Sequence, residues 1–275
     1  MIFVALIRAL IYVGFTLVCL PIQVVLVVFG AKASHAFPQF YHRIVLRVMG
    51  IKLDIRGRPS RKRPCIYVSN HSSYLDIEIL GALIRGSFVA KSEIGDWPFF
   101  GTLAKLQRTV FVDRRRSQAG KHKTAIEERL AAGERLILFP EGTTSDGNRV
   151  LPFKRALFAT AQQKVGGNPV MVQPISIAYS GFSNLPMDRD MRPVYAWYGD
   201  MDLLPHVWDM LKAGTATVVV QFHPTLTIEE VGDDRRALAE YCHTVVNDGV
   251  MAALTGRLPP RRQRGLGRFK KARAN

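Results

Sequence analysis

His71 and Asp76, five residues apart, are the pair in this sequence best suited to moving a proton. An imidazole titrates near neutrality, so it can take a proton from an alcohol. A carboxylate on its other ring nitrogen fixes the tautomer and stabilises the imidazolium. Inside one α-helix that spacing turns the two side chains about 140° apart, on different faces. They meet only if His71 sits in a loop and Asp76 in the first turn of the helix that follows. The segment NHSSYLD (70–76) provides for this, since Ser72 and Ser73 are residues a helix N-cap prefers. A plainer reading stands beside it. Ser73-x-x-Asp76 resembles a capping box, and an acid in the first turn favours the helix dipole without doing any chemistry.

Other chemistries find less support. No GxSxG elbow is present, so the attacking group would be the substrate's own hydroxyl. Cys19, Cys65 and Cys242 are far apart, with no CxxC and no Cys/His cluster. Neither a metal site nor a disulfide framework is expected, and the proposed chemistry needs no cofactor. Cys65 falls within an apolar run and is expected to be buried and inert.

The elements that must position these residues read as alternating strands and helices. CIYVS (65–69), SFVAK (87–91), TVFV (109–112), RLILF (135–139), VMVQPISIA (170–178), VYAWY (194–198) and ATVVVQF (216–222) have strand character. Residues 74–85, 96–106, 117–132, 154–165 and 233–254 have helical spacing. The expectation is an α/β fold with a mixed, partly parallel sheet flanked by helices, preceded by a membrane-embedded helical segment. Three strands run straight into polar clusters, at 70–76, 113–114 and 140–145. Ligands bind beyond the carboxyl ends of such strands, so the clusters should converge.

The two ends are different in kind. Residues 9–31 carry no charge, a run long enough to span a bilayer. Pro21 and Gln23 interrupt it, which leaves two geometries open: one kinked span, or two short helices dipping into one leaflet. Lys32, Arg43, Arg47 and Lys52 follow the run and only Arg8 precedes its centre, which predicts a cytoplasmic body, as on a bacterial-type inner membrane. Residues 257–275 form a basic tail without acids, suited to anionic lipid headgroups. The expected organisation is a membrane-anchoring segment (1–36), one catalytic domain (40–256) and the tail (257–275). The net charge of +16 also permits a non-catalytic basic membrane-binding protein. A nucleic-acid partner is not expected, because no reading motif stands out and the apolar run tethers the chain to a bilayer.

NHSSYLD resembles the NHxxxxD block of the glycerolipid acyltransferases, the family typified by 1-acylglycerol-3-phosphate acyltransferase. FVDR (111–114), FPEGTTS (139–145) and VQPI (172–175) resemble its further blocks, in the family's order. The resemblance implies transfer of an acyl group from acyl-CoA or acyl carrier protein to a lysolipid hydroxyl, with His71 as general base and Asp76 as its partner. It implies substrate contacts from Asn70, Phe111, Arg114, Glu141, Gly142, Thr143 and Pro174. Arg114 would take the acceptor's anionic headgroup, and Glu141 would help to bind the acceptor. Main-chain N–H groups near Gly142, or in a turn at 172–175, are candidates for the oxyanion. The third block commonly reads FPEGTRS, and Thr144 replaces its arginine here. Lys154, with Arg149 and Arg155, is placed to compensate. The first expectation for the acceptor is 1-acyl-sn-glycerol-3-phosphate, giving phosphatidate. The alternative is a lysolipid with an amino-acid headgroup, such as lyso-ornithine lipid.

Overall fold

A computed structural model describes residues 1–112 and 119–258. Its first element is α1 (Ile2–Val28), a continuous helix with Pro21 inside it. The helix stops where Gly30 takes φ 61°, a conformation free of Cβ strain only for glycine. The freed carbonyls of Val27 and Leu26 accept from the N–H groups of Gly30 and Ala31. A short 3-10 turn at Lys32–His35 leads into α2 (Phe37–Val48), which buries His42, Val45 and Leu46.

The sheet-bearing body runs through β1 (Ile51–Arg56), β2 (Cys65–Ser69), α3 (Leu75–Leu83), β3 (Ser87–Lys91), α4 (Phe100–Leu106), β4 (Val110–Val112), α5 (Ala119–Ala131) and β5 (Arg135–Leu138). It continues through the short hairpin of β6 (Lys164–Val165) and β7 (Asn168–Pro169), then β8 (Met171–Phe182), β9 (Leu185–Pro186), α6 (Leu203–Lys212), β10 (Ala216–Phe222) and α7 (Arg235–Leu254). The main sheet has the order β1-β10-β8-β2-β5-β3-β4, with β9 beside β8. The five strands from β8 to β4 are parallel, and β10 joins β8 antiparallel. The mixed, partly parallel α/β sheet expected from sequence is what forms.

Both faces of the sheet are covered. All five residues of β2 are buried. Cys65 and Tyr67 point into the core built with α2, α3 and α6, while Ile66 and Val68 point into the core built with α5 and α7. That two-sided burial is why the central strands read as unbroken apolar runs.

Two local expectations are corrected and two elements are added. IKLDIR (51–56) forms an edge strand that the sequence reading did not include. VYAWY (194–198) is a turn: the N–H groups of Tyr195 and Ala196 both return to Arg192 O, behind Pro193. Residues 155–162 take 3-10 rather than α-helical form. Residues 203–212 add an amphipathic helix that also went unread.

The apolar N-terminal helix lies along the body. Ala5, Thr16, Cys19 and Gln23 are buried on one stripe. Arg8 Nη1 donates to Leu211 O (3.0 Å) and Ala213 O (2.9 Å) at the end of α6. Gln23 Nε2 donates to Ser34 O (3.0 Å) and to Leu106 O (2.9 Å) at the end of α4. The opposite face leaves Phe3, Leu10, Leu17, Val18, Val28 and Phe29 exposed, which suits membrane association.

Candidate active site

Strand pairing brings three of the four sequence blocks together. Val68 on β2 is flanked by Leu138 on β5 and Pro174 on β8. The segments after β2 and β5 therefore leave the sheet side by side. They are tied directly, since the Ser145 N–H donates to His71 O (2.9 Å). The second block lies two strands out from β5, on edge strand β4. Phe111 there packs near Gly95, and Arg114 lies outside the described residues.

His71 is in the loop and Asp76 in the first turn of α3, as the spacing required. His71 Nδ1 stands 2.9 Å from Asp76 Oδ2. The same oxygen accepts from the N–H groups of Ser72 (2.7 Å) and Ser73 (2.9 Å). The Tyr179 hydroxyl donates to Oδ1 (2.8 Å). Asp76 is fully buried, and a carboxylate there is tolerable only with such a set of donors. Capping and pairing thus coincide in one residue. The N-cap itself differs from expectation: Tyr74 occupies it without a side-chain bond, and Ser73 Oγ accepts only a 3.3 Å contact from Leu75 N–H. With the carboxylate accepting at Nδ1–H, the lone pair falls on Nε2. The imidazole stacks on Phe139, with centroids 4.0 Å apart and planes 13° apart. Such a ring can receive a proton from a hydroxyl held beside it.

His71 lines a cavity of about 290 Å³. Its walls are mainly apolar and come from α1, α2, α3, α4 and the turn carrying Trp197. The cavity can take a hydrocarbon chain with its reactive end at His71.

The remaining predicted residues divide into fasteners and rim. Asn70 is buried and exchanges two bonds with the Ile177 main chain on β8, at 2.9 and 2.8 Å. Glu141 is buried, and its two oxygens accept from the N–H groups of His71 (2.9 Å) and Leu151 (3.2 Å). Burial pushes its carboxyl up to about 8, and those two donors pull against the rise. Glu141 therefore holds the main chain of His71 in place. Gly142 takes φ 68°, and a Cβ on it would lie 2.7 Å from Lys154 Nζ. The Lys154 ammonium so sits against that turn, while Thr143 is exposed.

Pro174 corrects an expectation. Residues 172–175 are strand, not turn, and Pro174 is buried with its carbonyl accepting from His223 N–H (3.0 Å) just past the end of β10. Val172 N–H donates to Leu226 O, and the Gly142 N–H closes its own turn on Phe139 O. Neither of these N–H groups is free for an oxyanion. Sequence reasoning missed Tyr179 and Phe139 as supports of the pair, and Trp97 and Trp197 as walls near it. Buried Cys65 and Cys242 thiols are pushed up to about 12, away from thiolate chemistry. Among the described residues no cluster of metal-ligating side chains occurs.

A family model described as Acyltransferase matches residues 52–178. A lyso-ornithine lipid O-acyltransferase of Brucella abortus is 42% identical over 253 residues, covering 90% of this chain and 94% of that protein. A 1-acyl-sn-glycerol-3-phosphate acyltransferase of Neisseria meningitidis is 33% identical over 201 residues, covering 72% and 74%. The crystal structure of the 1-acyl-sn-glycerophosphate acyltransferase of Thermotoga maritima shares the fold, with a TM-score of 0.64 at 21% identity over 94% of this chain and 96% of that one. With its HxxxxD pair assembled on such a sheet, the chain belongs to the acyltransferase family and acts on lysolipids.

Proposed function

We propose that this chain acylates the hydroxyl of lyso-ornithine lipid, drawing the acyl group from a thioester of coenzyme A or acyl carrier protein. The observation that carries the acceptor is the reach of the likeness. The relative named for lyso-ornithine lipid matches almost end to end at 42%, against 33% over a shorter stretch for the one named for the glycerol phosphate. This reverses the order of the two acceptors expected from the blocks alone. Two features of this chain agree with it. Thr144 replaces a customary arginine, and no Lys or Arg is among the described residues lining the cavity.

His71 Nε2 takes the proton from the acceptor hydroxyl as its oxygen attacks the thioester carbonyl. Asp76 holds Nδ1–H and stabilises the imidazolium. Collapse of the tetrahedral intermediate forms the ester and breaks the C–S bond, and the imidazolium returns its proton to the thiolate. No enzyme nucleophile and no resident cofactor enter this sequence.

The body works on the membrane surface, with α1 in the plane of the interface. Arg8 and Gln23 are about 22 Å apart along the helix, yet each bonds main-chain carbonyls of the sheet-bearing body. A crossing helix would carry the ends of α6 and α4 through hydrocarbon, where irregular backbone is not tolerated. A helix lying flat puts only its exposed apolar face into one leaflet. The body then faces the cytoplasm, following the basic residues after α1, and the tail from 257 adds attraction to anionic lipid. Lipid-quencher depth for labels at Leu10 and Val25 should be shallow and equal; a deep label at one and a shallow one at the other would rule out the flat helix.

The acceptor is tested with labelled acyl thioester and membranes carrying the protein, given lyso-ornithine lipid or 1-acylglycerol-3-phosphate, with His71→Ala as the blank. Ornithine lipid formation supports the proposal. Phosphatidate alone overturns it.

A further inference from the structure

Three aromatic rings stand together in the wall of the cavity that His71 also lines. Trp97 and Trp197 are 6.4 Å apart between centroids with their planes at 90°, and Tyr74 lies 6.4 Å from Trp197 at 58°. All three line the cavity along with His71. The rings are fixed in advance. Trp197 N–H donates to Ser72 O (2.8 Å), which ties it to the loop of the catalytic histidine. Its indole Nε1–H donates to Met201 O (2.8 Å). The Tyr74 hydroxyl pairs with His206 Nδ1 (3.2 Å), which fixes the ring among the lining residues. Buried Arg192 fastens the start of this turn through Tyr179 O (3.4 Å) and Met187 O (3.0 Å).

Two rings set at right angles with centroids 6.4 Å apart can both face one cation, since a cation within about 6 Å of an aromatic face is attracted by its quadrupole. The electrostatics of the cavity point the same way. Among the described lining residues the one carboxylate is Glu78, one turn of α3 below Tyr74 and paired with His42 Nδ1 at 2.6 Å, and none is Lys or Arg. An anionic headgroup would meet aromatic faces and a carboxylate there.

We infer that Tyr74, Trp97 and Trp197 form a specificity site for the side-chain ammonium of an amino-acid headgroup, holding it while the acceptor hydroxyl reaches His71. The inference rests on the acceptor proposed above. It names the residues that would make the choice, and it separates them from a general aromatic anchor at the membrane interface, which would act on any lipid alike.

The test compares KM for lyso-ornithine lipid and for the same lipid with its side-chain amine acetylated, in full-length protein reconstituted in vesicles of one fixed composition. The wild type should favour the free amine by about tenfold or more. Trp97→Leu and Trp197→Leu should bring the ratio toward one, and Trp197→Phe, which keeps an aromatic face, should hold part of it. An equal rise in KM for both lipids in the variants, or no preference in the wild type, would overturn the site while ornithine lipid is still made. Failure of the wild type to acylate either lipid, with phosphatidate formed instead, would overturn the acceptor proposal and this inference with it. Should Trp197→Leu not fold, Trp97→Leu and Trp197→Phe still decide the matter.

Discussion

Two histidine–carboxylate pairs hang from the same helix and border the same cavity. Asp76 and Glu78 lie two residues apart on α3, and each meets the Nδ1 of a histidine, His71 at 2.9 Å and His42 at 2.6 Å. Their surroundings separate them. Asp76 is fully buried and takes three further donors, while the side chain of His71 keeps 18% exposure. His42 is 5% exposed, and its Nε2 has no hydrogen-bond partner among the described residues. That nitrogen rests against Gly81, 2.6 Å from where a Cβ would stand. One imidazole is held by its carboxylate side and open on the other, as a base must be. The other is closed on both sides and joins α2 to α3. A His–acid pair becomes chemistry only when the second nitrogen can reach substrate.

The largest effect should come from breaking the open pair. His71→Ala is expected to lower kcat by about 10³-fold or more, with the thermal midpoint in detergent little changed. His42→Ala should do the opposite: kcat within a few-fold of wild type, and stability reduced by about 2 kcal/mol through a cavity and the loss of the partner of half-buried Glu78. Near-normal turnover in the first variant, or abolished turnover with intact folding in the second, would reverse the assignment.

The carboxylates sharpen the contrast. Asp76→Asn should cost about 10²–10⁴-fold in kcat, because an amide no longer selects the Nδ1–H tautomer. Glu78→Gln should leave kcat largely alone. If Asp76→Asn instead melts the protein and the folded fraction keeps full specific activity, Asp76 is a helix cap and nothing more.

The open pair was legible because its parts are local. Five residues, a loop and a helix start are enough to place His71 against Asp76. The central strands were legible because burial on both faces demands continuous apolar runs. What closes the site is not local. Tyr179 reaches Asp76 from 103 residues away. VYAWY has strand composition, but the turn behind Pro193 governs its shape and delivers Trp197. The orientation of α1 could not be read, because a helix apolar all round shows no preferred face, and only Arg8, Thr16 and Gln23 reveal which stripe meets the body. For Glu141 the shared motif implied a contact with the acceptor, and it gave no sign that its two oxygens accept from the main-chain N–H groups of His71 and Leu151.

A third histidine extends the comparison to one with no acid in contact. His223 Nε2 lies 2.7 Å from buried Ser176 Oγ, and burial lowers its pKa from 6.5 to about 4, against a weaker pull upward from Asp248. The folded state therefore prefers the neutral ring. Its contribution is complete above pH 6.5 and is lost as pH falls through the interval down to about 4. The span corresponds to about 3 kcal/mol. Thermal midpoints measured from pH 4 to 7 should fall on acidification, and His223→Gln should flatten that dependence. An unchanged slope in the variant would place the acid sensitivity elsewhere.

The smallest effect tests whether the four-donor environment of Asp76 is what distinguishes the open pair. Tyr179→Phe removes one donor from Oδ1 and leaves His71, Ser72 and Ser73 on Oδ2. One hydrogen bond to a charged group contributes roughly 1.5–3 kcal/mol, and part of its loss appears in folding rather than in the reaction. The expected outcome is a fall of about tenfold in kcat with KM unchanged, because Tyr179 touches Asp76 and not the cavity. A variant with lower stability but wild-type kcat would mean that Tyr179 serves the core alone, and that the two main-chain donors suffice to hold Asp76 against His71.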